Sequence, residues 1–512
     1  MKSFHKYILL FLVITVAFLF SFLPSVEFLL NFSNDDSFFY LKTAYNFSIG
    51  QGSTFDLINK TNGYHPFWFM ILAVYFFIMN FFTVFTPELY FRLTVLMINL
   101  INSASLYFLF LYFKNTNPSR SGKLFALSAP LFLTLVAIRD FGMETHLSCL
   151  LIILYLFIKS KEIRESNNFY LYKYLILIFL FLTRIDYILN VIPVIIFSDY
   201  ITSGKEKSFK FPAVSLSLLM ITAFLYFMTN YFFFGNFMTI TTVIKSSFPQ
   251  NIFIKNFNDL FAPGTFTNQF VKSFFVLLTV SVFMILILNG NVRRKFDMND
   301  YFLFGVCFST LVFIVFNLFF NWFTLKEWYV AFPAFVCSVL MVRLISLVPG
   351  IQNLSLVIFI SVLLIYFTVT RINNSKWDSM YYFALGIKQN TAEDDRIFMI
   401  DLSGIAGYFS GRKIINGDGL VNSFEYWKYR NSDNLSEYFK KTGVNYYASY
   451  STSKGNHEMR DSSGYYIDKC YSNKFGGYSF TFPHEQLIYK APYYYFHAVN
   501  SDKGFWYLFK LK

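Results

Sequence analysis

The sequence predicts a polytopic α-helical membrane protein of about eleven spans that carries a C-terminal α/β domain. Hydrophobic residues occupy 55% of the 512 positions and charged residues only 14%, a composition too apolar for a soluble protein. Apolar runs of about 20 residues, long enough to cross a bilayer, recur through the first three quarters of the chain. The composition turns polar after Arg371, so we divide the chain into a membrane domain, 1–370, and a soluble domain, 371–512.

The first apolar segment extends from Tyr7 to about Leu30 and follows Lys2 and Lys6. It starts like a signal peptide, but its apolar stretch is too long and has no small-residue cleavage site. We therefore expect an uncleaved signal anchor whose N-terminus lies in the cytoplasm. The next loop, 31–66, is then extracytoplasmic.

Further spans are predicted from the apolar runs at about 66–86, 92–113, 124–138, 141–158, 172–198, 211–232, 270–289, 301–320, 329–347 and 352–370. Because the total is odd, the soluble domain lies outside with the first loop. Lysine and arginine prefer cytoplasmic loops, and this rule supports a cytoplasmic position for 205–207 and 293–295.

The same count leaves two basic stretches, 114–123 and 159–173, outside the cell, against the rule. One remedy is to split the span at 172–198 between Thr183 and Asp186. That split changes the parity, so it requires another predicted span not to cross the membrane.

The net charge of +13 comes from 43 Lys and Arg against 30 Asp and Glu, spread over short loops and the tail. Cationic side chains beside apolar spans set orientation and contact anionic headgroups, so the charge indicates membrane lipids rather than nucleic acid as partners. The soluble domain contains one cysteine, Cys470, which excludes an internal disulfide and a CxxC metal site there.

The soluble domain alternates strand and helix patterns. Short buried-strand patterns and one helical pattern are predicted at 397–400, 413–415, 423–441 (the helix) and 444–449. Further β-rich segments follow at 479–482, 486–490, 493–499 and 505–511. This order predicts an open α/β sheet. Because the GxGxxG motif is absent, we expect no dinucleotide cofactor.

Two adjacent carboxylates, Asp35 and Asp36, lie where the first span meets water. A carboxylate at such a boundary is solvated from one side and desolvated from the other, which shifts its pKa towards the range useful for proton abstraction. The loop that follows them ends in Thr-Asn-Gly-Tyr-His-Pro at 61–66. The pattern indicates chemistry or ion binding at the outer surface.

Several motifs together resemble those of bacterial GT-C glycosyltransferases, polytopic enzymes that use sugars linked to a lipid phosphate. The motifs lie at 35–42, 46–56 and 61–68 in the first loop, at 142–145, 183–186, 234–236 with Lys245, and 327–329 in the membrane domain, and at 401–409 and 416–422 in the tail. The resemblance spans most of the chain. One departure lies at 237–241, Phe-Met-Thr-Ile-Thr, where the family often carries Leu-Pro-Val-Ser.

The resemblance implies an inverting hexosyl- or pentosyltransferase of cell-envelope polysaccharide biosynthesis. Its implied partners are a polyprenyl-phosphate sugar as donor and an extracytoplasmic glycan or glycolipid as acceptor. The implied location is the bacterial inner membrane, with the active site and the soluble domain outside. Asp35 or Asp36 is the implied general base, and we favour Asp35 slightly. The alternative is that both carboxylates hold a divalent cation, which relieves their mutual repulsion.

The remaining candidates are charged and polar residues near span ends. Arginine offers bidentate phosphate contacts and lysine a point charge, but both also snorkel at span ends without binding a ligand. The implied substrate-binding residues are Tyr40, Lys42, Asn62, His65, Glu144, Arg184, Asp186, Lys245, Lys326 and Glu327, with Arg92 and Arg139 as weaker candidates. For Arg184 and Asp186 the alternative is a simple ion pair, and for Asn62 a turn.

Two other functions fit the same charges. A lipid or ion transporter, such as a flippase, also uses charges within the membrane, and a non-catalytic envelope scaffold tolerates replacement of Asp35 and Asp36. The sequence shows no obvious internal repeat of the kind that many transporters have. A soluble domain on the same side as the aspartate pair favours glycan chemistry over translocation.

Overall fold

The computed structural model describes residues 2–137, 139–165, 169–199, 210–261, 296–323, 325–347, 377–450, 457–470, 478–497 and 500–511, and the statements below refer to these residues. The predicted spans at 270–289 and 352–370 lie outside them. So do the basic stretches at 205–207 and 293–295.

The described membrane domain is helical. Its helices are α1 Lys2–Phe22, α2 Val26–Leu30, α3 Asp35–Ser48, α4 Pro66–Met79, α5 Pro87–Thr116, α6 Ser121–Phe132, α7 Thr145–Glu165, α8 Tyr170–Thr183, α9 Ile188–Pro193, α10 Lys210–Phe234, α11 Ile240–Lys245, α12 Phe253–Phe261, α13 Met298–Phe320 and α14 Glu327–Leu347. By length and composition, α5, α10 and α13 are able to cross a membrane, and several shorter apolar helices accompany them. The total of about eleven spans stays a prediction.

The apolar helix α4 lies beside α3 and does not carry the chain across the bundle. At its start the backbone N–H of His65 donates to the Tyr40 hydroxyl at 3.3 Å. At its end Asn80 donates to Ser48 Oγ at 3.4 Å, so both ends of α4 contact α3. The predicted span at 66–86 is therefore not confirmed. With 14 residues, α4 is also shorter than the roughly 20 that a span requires.

The predicted span at 172–198 is two segments. Helix α8 ends at Thr183, and a 3₁₀ turn at Ile185–Tyr187 precedes α9. At the start of α10, the Phe211 ring stacks on Tyr174, near the start of α8, with centroids 5.1 Å apart. Helix α10 therefore begins at the end of the bundle where α8 began.

These two changes place the basic stretches at the end of the bundle opposite Asp35. Helix α5 starts near the end of α1, where Arg92 donates to the Phe22 carbonyl at 3.1 Å. At its far end, Asn115 accepts a hydrogen bond from Arg164, near the end of α7, at 2.7 Å. The stretches at 114–123 and 159–173 thus share one end, as the preference of lysine and arginine for the cytoplasm requires when the N-terminus lies inside.

The soluble domain is an α/β sheet with helices, as the sequence predicts. Its elements are α15 Trp377–Asn390, β1 Arg396–Met399, α16 Ser403–Ser410, β2 Lys413–Asn416, α17 Phe424–Asn431, α18 Leu435–Thr442, β3 Tyr446–Tyr450, β4 His457–Ser462, β5 Tyr465–Cys470, β6 Tyr478–Pro483, β7 Leu487–His497 and β8 Asn500–Lys510. The predicted helix at 423–441 is divided into α17 and α18. The sequence patterns missed β4 and β5, and β7 joins two predicted segments.

The main sheet has the order β2-β1-β3-β8-β7, and a second sheet has the order β4-β5-β6. Strand β1 pairs in parallel with both β2 and β3, so the carboxyl ends of the three strands meet at one edge. The chain leaves β1 towards β2 on one side and later returns to β3 on the other. Ligands of such sheets bind outside the carboxyl ends of strands where the order reverses, and Asp401 follows β1 at this point.

Candidate active site

Asp35, the first residue of α3, contacts the soluble domain. Its Oδ2 accepts a hydrogen bond from the backbone N–H of Gly404 at 2.9 Å, and its Oδ1 accepts one from Ile405 at 2.8 Å. The side chain is buried, with the residue only 4% exposed. Burial raises the pKa of Asp35 to about 7, although the two N–H donors act in the opposite direction. Both carboxylate oxygens are therefore engaged before any substrate arrives.

Asp36 lies next to it and faces a cation. Its Oδ2 is 4.0 Å from Nζ of Lys245, and the side chains of Asp36 and Lys245 are 27% and 20% exposed. Burial lowers the pKa of Lys245, but Tyr329, Asp36 and Asp418 outweigh burial and raise it. A carboxylate and a charged ammonium group thus stand side by side with access to solvent.

The soluble domain adds two carboxylates that the sequence analysis did not select. Asp418 follows β2, and its Oδ1 accepts a hydrogen bond from the Leu420 N–H at 2.8 Å. Burial and the charges of Asp401 and Asp36 raise the pKa of Asp418 well above its ordinary value. Asp401 accepts a hydrogen bond from the Tyr450 hydroxyl at 3.1 Å. The signal that could have found both is their position just after parallel strands.

The loop that carries Asp418 packs against the helix that carries Lys245. Ile240 and Ile244 of α11 form one apolar cluster with Leu420 and Trp427. A Cβ atom at Gly419 would lie 3.0 Å from Cδ1 of Ile244, so the two segments are in van der Waals contact. The cluster fixes Lys245 relative to the soluble domain.

Below this pair lies a buried network around Arg184. Its Nη1 donates to Glu144 Oε1 at 2.9 Å, and its Nε and Nη2 donate to the two oxygens of Asp186 at 2.8 and 3.2 Å. Arg184 and Glu144 are 2% and 1% exposed. The Tyr329 ring covers the guanidinium at 3.8 Å. Two carboxylates already neutralise Arg184, so the ion-pair alternative from the sequence describes Arg184 and Asp186.

His65 links the network to Lys245. Its Nδ1 accepts the Ile185 N–H at 3.4 Å, which assigns the proton to Nε2, and Nε2 lies 3.9 Å from Glu144 Oε1. Burial and the positive charges of Arg184 and Lys245 lower the pKa of His65 well below its ordinary value. The imidazole is therefore neutral at neutral pH, and its Nε2–H lies near the Glu144 carboxylate.

Two predicted substrate-binding residues serve as structural ties. Lys42 is buried and donates to the carbonyls of Gly407 and Arg412 at 2.6 and 2.7 Å, so it clamps the end of α16. Asn62 accepts the Ile240 N–H at 2.9 Å and donates to Asn230 Oδ1 at 3.1 Å. Asn62 thereby holds the start of α11 and, with it, Lys245.

The other predicted cations bind backbone carbonyls or solvent. Arg92 donates to the Ser21 and Phe22 carbonyls, both at 3.1 Å, and Arg139 donates to the Thr134 carbonyl at 2.8 Å. Lys326 is exposed and Glu327 is the first residue of α14.

The two adjacent aspartates do not fit a shared metal ion. Asp35 directs both oxygens to backbone N–H groups, whereas Asp36 faces Lys245. Across the described ranges, no group of three or more His, Cys, Asp or Glu side chains has the spacing of a metal site.

Comparison with solved structures identifies the architecture. ArnT from Cupriavidus metallidurans in the apo state matches with a TM-score of 0.54 at 11% sequence identity, over 88% of this chain and 94% of that chain. The Archaeoglobus fulgidus oligosaccharyltransferase, solved with Zn and sulfate, matches with a TM-score of 0.50 at 12% identity, over 85% of this chain and 67% of that one. Both are GT-C glycosyltransferases. The chain has the GT-C fold. No family model and no curated protein matches the sequence.

Within this GT-C fold, the predicted residues form two layers. Asp36, Lys245 and His65 line the accessible layer, and the Arg184 network lies behind it. Tyr329, part of the motif at 327–329, joins the layers because its ring covers Arg184 and the residue contributes to the raised pKa of Lys245. The arrangement offers a carboxylate to accept a proton and a cation to stabilise a departing anion.

Proposed function

We propose that the protein transfers a sugar from a polyprenyl-phosphate donor to an extracytoplasmic glycan or glycolipid, as an inverting GT-C glycosyltransferase of the bacterial inner membrane. The observation that carries the proposal is the pairing of Asp36 with Lys245 at 4.0 Å in a solvent-accessible part of a GT-C fold. One group is suited to deprotonate an acceptor and the other to neutralise a lipid phosphate.

The chemistry follows from these two groups. Asp36 takes the proton of an acceptor hydroxyl while that oxygen forms a bond to the anomeric carbon of the donor sugar. The bond between the anomeric carbon and the phosphate oxygen breaks, and its electron pair leaves with the polyprenyl phosphate. Lys245 stabilises the charge that develops on this phosphate. Direct attack from the face opposite the leaving group inverts the anomeric centre.

We place the donor phosphate at Lys245 rather than at Arg184. Lys245 retains exposure and forms only a loose pair with Asp36. Arg184 instead donates its hydrogen bonds to Glu144 and Asp186. We assign Arg184 the role of fixing Glu144 and Tyr329 behind the phosphate.

We place the acceptor on the side of the soluble domain. Asp418 lies close enough to Asp36 and Asp401 for their charges to raise its pKa, and carboxyl groups accept hydrogen bonds from sugar hydroxyls. Tyr408, Tyr426 and Trp427, aromatic residues of the soluble domain, are buried, which supports a role in sealing this domain onto the membrane domain rather than in stacking on sugars.

A divalent cation needs a separate test, because the archaeal oligosaccharyltransferase that shares this fold forms a complex with Zn. In this chain Asp36 is the accessible carboxylate of the pair, and Lys245 already provides a positive charge beside it. A divalent cation and Lys245 would both neutralise the charge of the same donor phosphate.

The test uses detergent-purified full-length protein with a panel of polyprenyl-phosphate sugars and candidate acceptors. We expect sugar transfer from one lipid donor, with the opposite anomeric configuration in the product. Asp36→Asn keeps the shape of the side chain but removes its basicity, so turnover should fall by about two orders of magnitude or more. Direct transfer from a nucleotide sugar without the lipid, or full activity of Asp36→Asn, would contradict the proposal. Lipid translocation without sugar transfer would support the transporter alternative.

A further inference from the structure

The first loop and the soluble domain meet through glycines that no larger residue can replace without movement. A Cβ atom at Gly404 would lie 2.1 Å from the carbonyl oxygen of Asp35. A Cβ at Gly63 would lie 1.8 Å from the carbonyl oxygen of Leu420, and one at Gly407 would lie 2.5 Å from the Phe55 ring. These distances are far below van der Waals contact, so the two backbones touch directly.

Polar ties surround these contacts. Besides Lys42 on the end of α16, the side-chain oxygen of Asn59 accepts hydrogen bonds from Ser423 at 3.3 Å and Tyr438 at 3.0 Å. Asn59 is itself held by Asp56, whose Oδ1 accepts its backbone N–H at 2.7 Å. The loop therefore carries two pre-organised ties that bind the soluble domain.

Of the contacts between the first loop and the soluble domain, the one made by Asp35 lies next to the proposed base, Asp36. The first N–H groups of a helix have no acceptor within the helix, and in α16 those of Gly404 and Ile405 find theirs in the Asp35 carboxylate. The residue before the helix, Leu402, has a φ of 56° and its side chain caps nothing. A carboxylate from a distant part of the chain thus replaces the usual local cap.

We propose that Asp35 is a positioning residue that docks the soluble domain on the first loop, and that docking brings Asp401 and Asp418 to the acceptor side of Asp36. The proposal deepens the proposed function and rests on it for the acceptor. The two adjacent aspartates then have different roles: Asp36 deprotonates the acceptor, and Asp35 binds the first N–H groups of α16.

The docking contact is tested first by hydrogen exchange, which does not depend on activity. In the wild-type full-length protein, the amides at the start of 403–410 should be protected. Asp35→Asn can accept only one of the two N–H groups with its single side-chain oxygen, so exchange there should become about tenfold faster or more. Asp36→Asn is the matched control and should leave this segment unchanged.

The kinetic readout separates positioning from catalysis. Asp35→Asn should raise the KM for the acceptor about tenfold or more while release of sugar from the donor to water continues near the wild-type rate. Asp36→Asn should instead lose turnover. Gly404→Ala leaves the Asp35 carboxyl in place but forces the backbones apart, and it should reproduce the Asp35→Asn pattern.

The outcomes are distinct. Unchanged exchange at 403–410 in both Asp35→Asn and Gly404→Ala would overturn the proposal, whatever the activity. A loss of turnover in Asp35→Asn with normal exchange would make Asp35 the base and also overturn it. Faster exchange in a protein that transfers no sugar from any donor would uphold the docking contact and reject the proposed function.

Discussion

The proton on Asp35 should govern how stability depends on pH. The carboxyl is buried at 4% exposure and its pKa rises from 3.8 to about 7, mainly because burial penalises the charged form. The folded protein therefore holds this proton more tightly than the unfolded chain does. Protonation stabilises the fold, so this contribution is complete below about pH 4 and disappears as the pH rises through about 7.

A difference of about 3 pKa units corresponds to about 4 kcal/mol in the free energy of unfolding. Asp35→Asn removes the titrating group, so the difference between wild type and this variant isolates the contribution. Relative to Asp35→Asn, the wild-type protein should lose stability as the pH rises from about 4 to about 7. Asp36→Asn keeps the Asp35 carboxyl and should also lose stability with rising pH, but at a slightly lower pH, because the charge of Asp36 contributes to the raised pKa of Asp35.

The measurement is the apparent unfolding temperature of the three detergent-purified proteins at half-unit pH steps between 4 and 8. The wild-type and Asp36→Asn curves should lie furthest above that of Asp35→Asn near pH 4, and this difference should shrink as the pH increases. Parallel curves for all three proteins would refute the reasoning, because they would show that the Asp35 proton is bound equally in the folded and unfolded states.

Three further outcomes are expected. Lys245→Gln should raise the KM for the lipid donor about tenfold or more without changing the KM for the acceptor, whereas Lys255→Gln, at a half-buried lysine of α12 that pairs with Asp259, should change neither. Arg184→Met should destabilise the protein by about 3–5 kcal/mol in thermal unfolding, because it leaves Glu144 buried without its partner. Removal of divalent cations with a chelator should change turnover by no more than about twofold in a direct activity assay. A larger loss of turnover that one added metal restores would show instead that a metal ion binds at Asp36.

The sequence predicted the type of most elements but not how many apolar runs cross the membrane. Hydropathy measures how apolar a run is, and it cannot distinguish a span from an apolar helix such as α4 that rests on α3. The break at Arg184 was visible as charges inside an apolar run. It was the positive-inside rule, applied to 114–123 and 159–173, that signalled the error before the structure showed its position.

For the site, residue types were predictable and partners were not. An aspartate pair at a membrane boundary indicates chemistry, yet nothing local shows which of the two is accessible. The difference arises because Asp35 binds Gly404, which lies 369 positions further along the chain. Asp401 and Asp418 were missed for the same reason, since only the fold brings the strand ends of the soluble domain to the first loop.

The motifs that resemble the GT-C family in the first loop and in the tail are best understood as two sides of one contact. Gly63 of the loop faces Leu420 of the tail, and Gly404 of the tail faces Asp35 of the loop, each with room for a hydrogen but no side chain. A glycine is required at such positions because two backbones approach each other, not because a turn needs flexibility. The distant motifs are therefore constrained together: a change in one alters the distance between Asp36 and the carboxylates that approach it from the other.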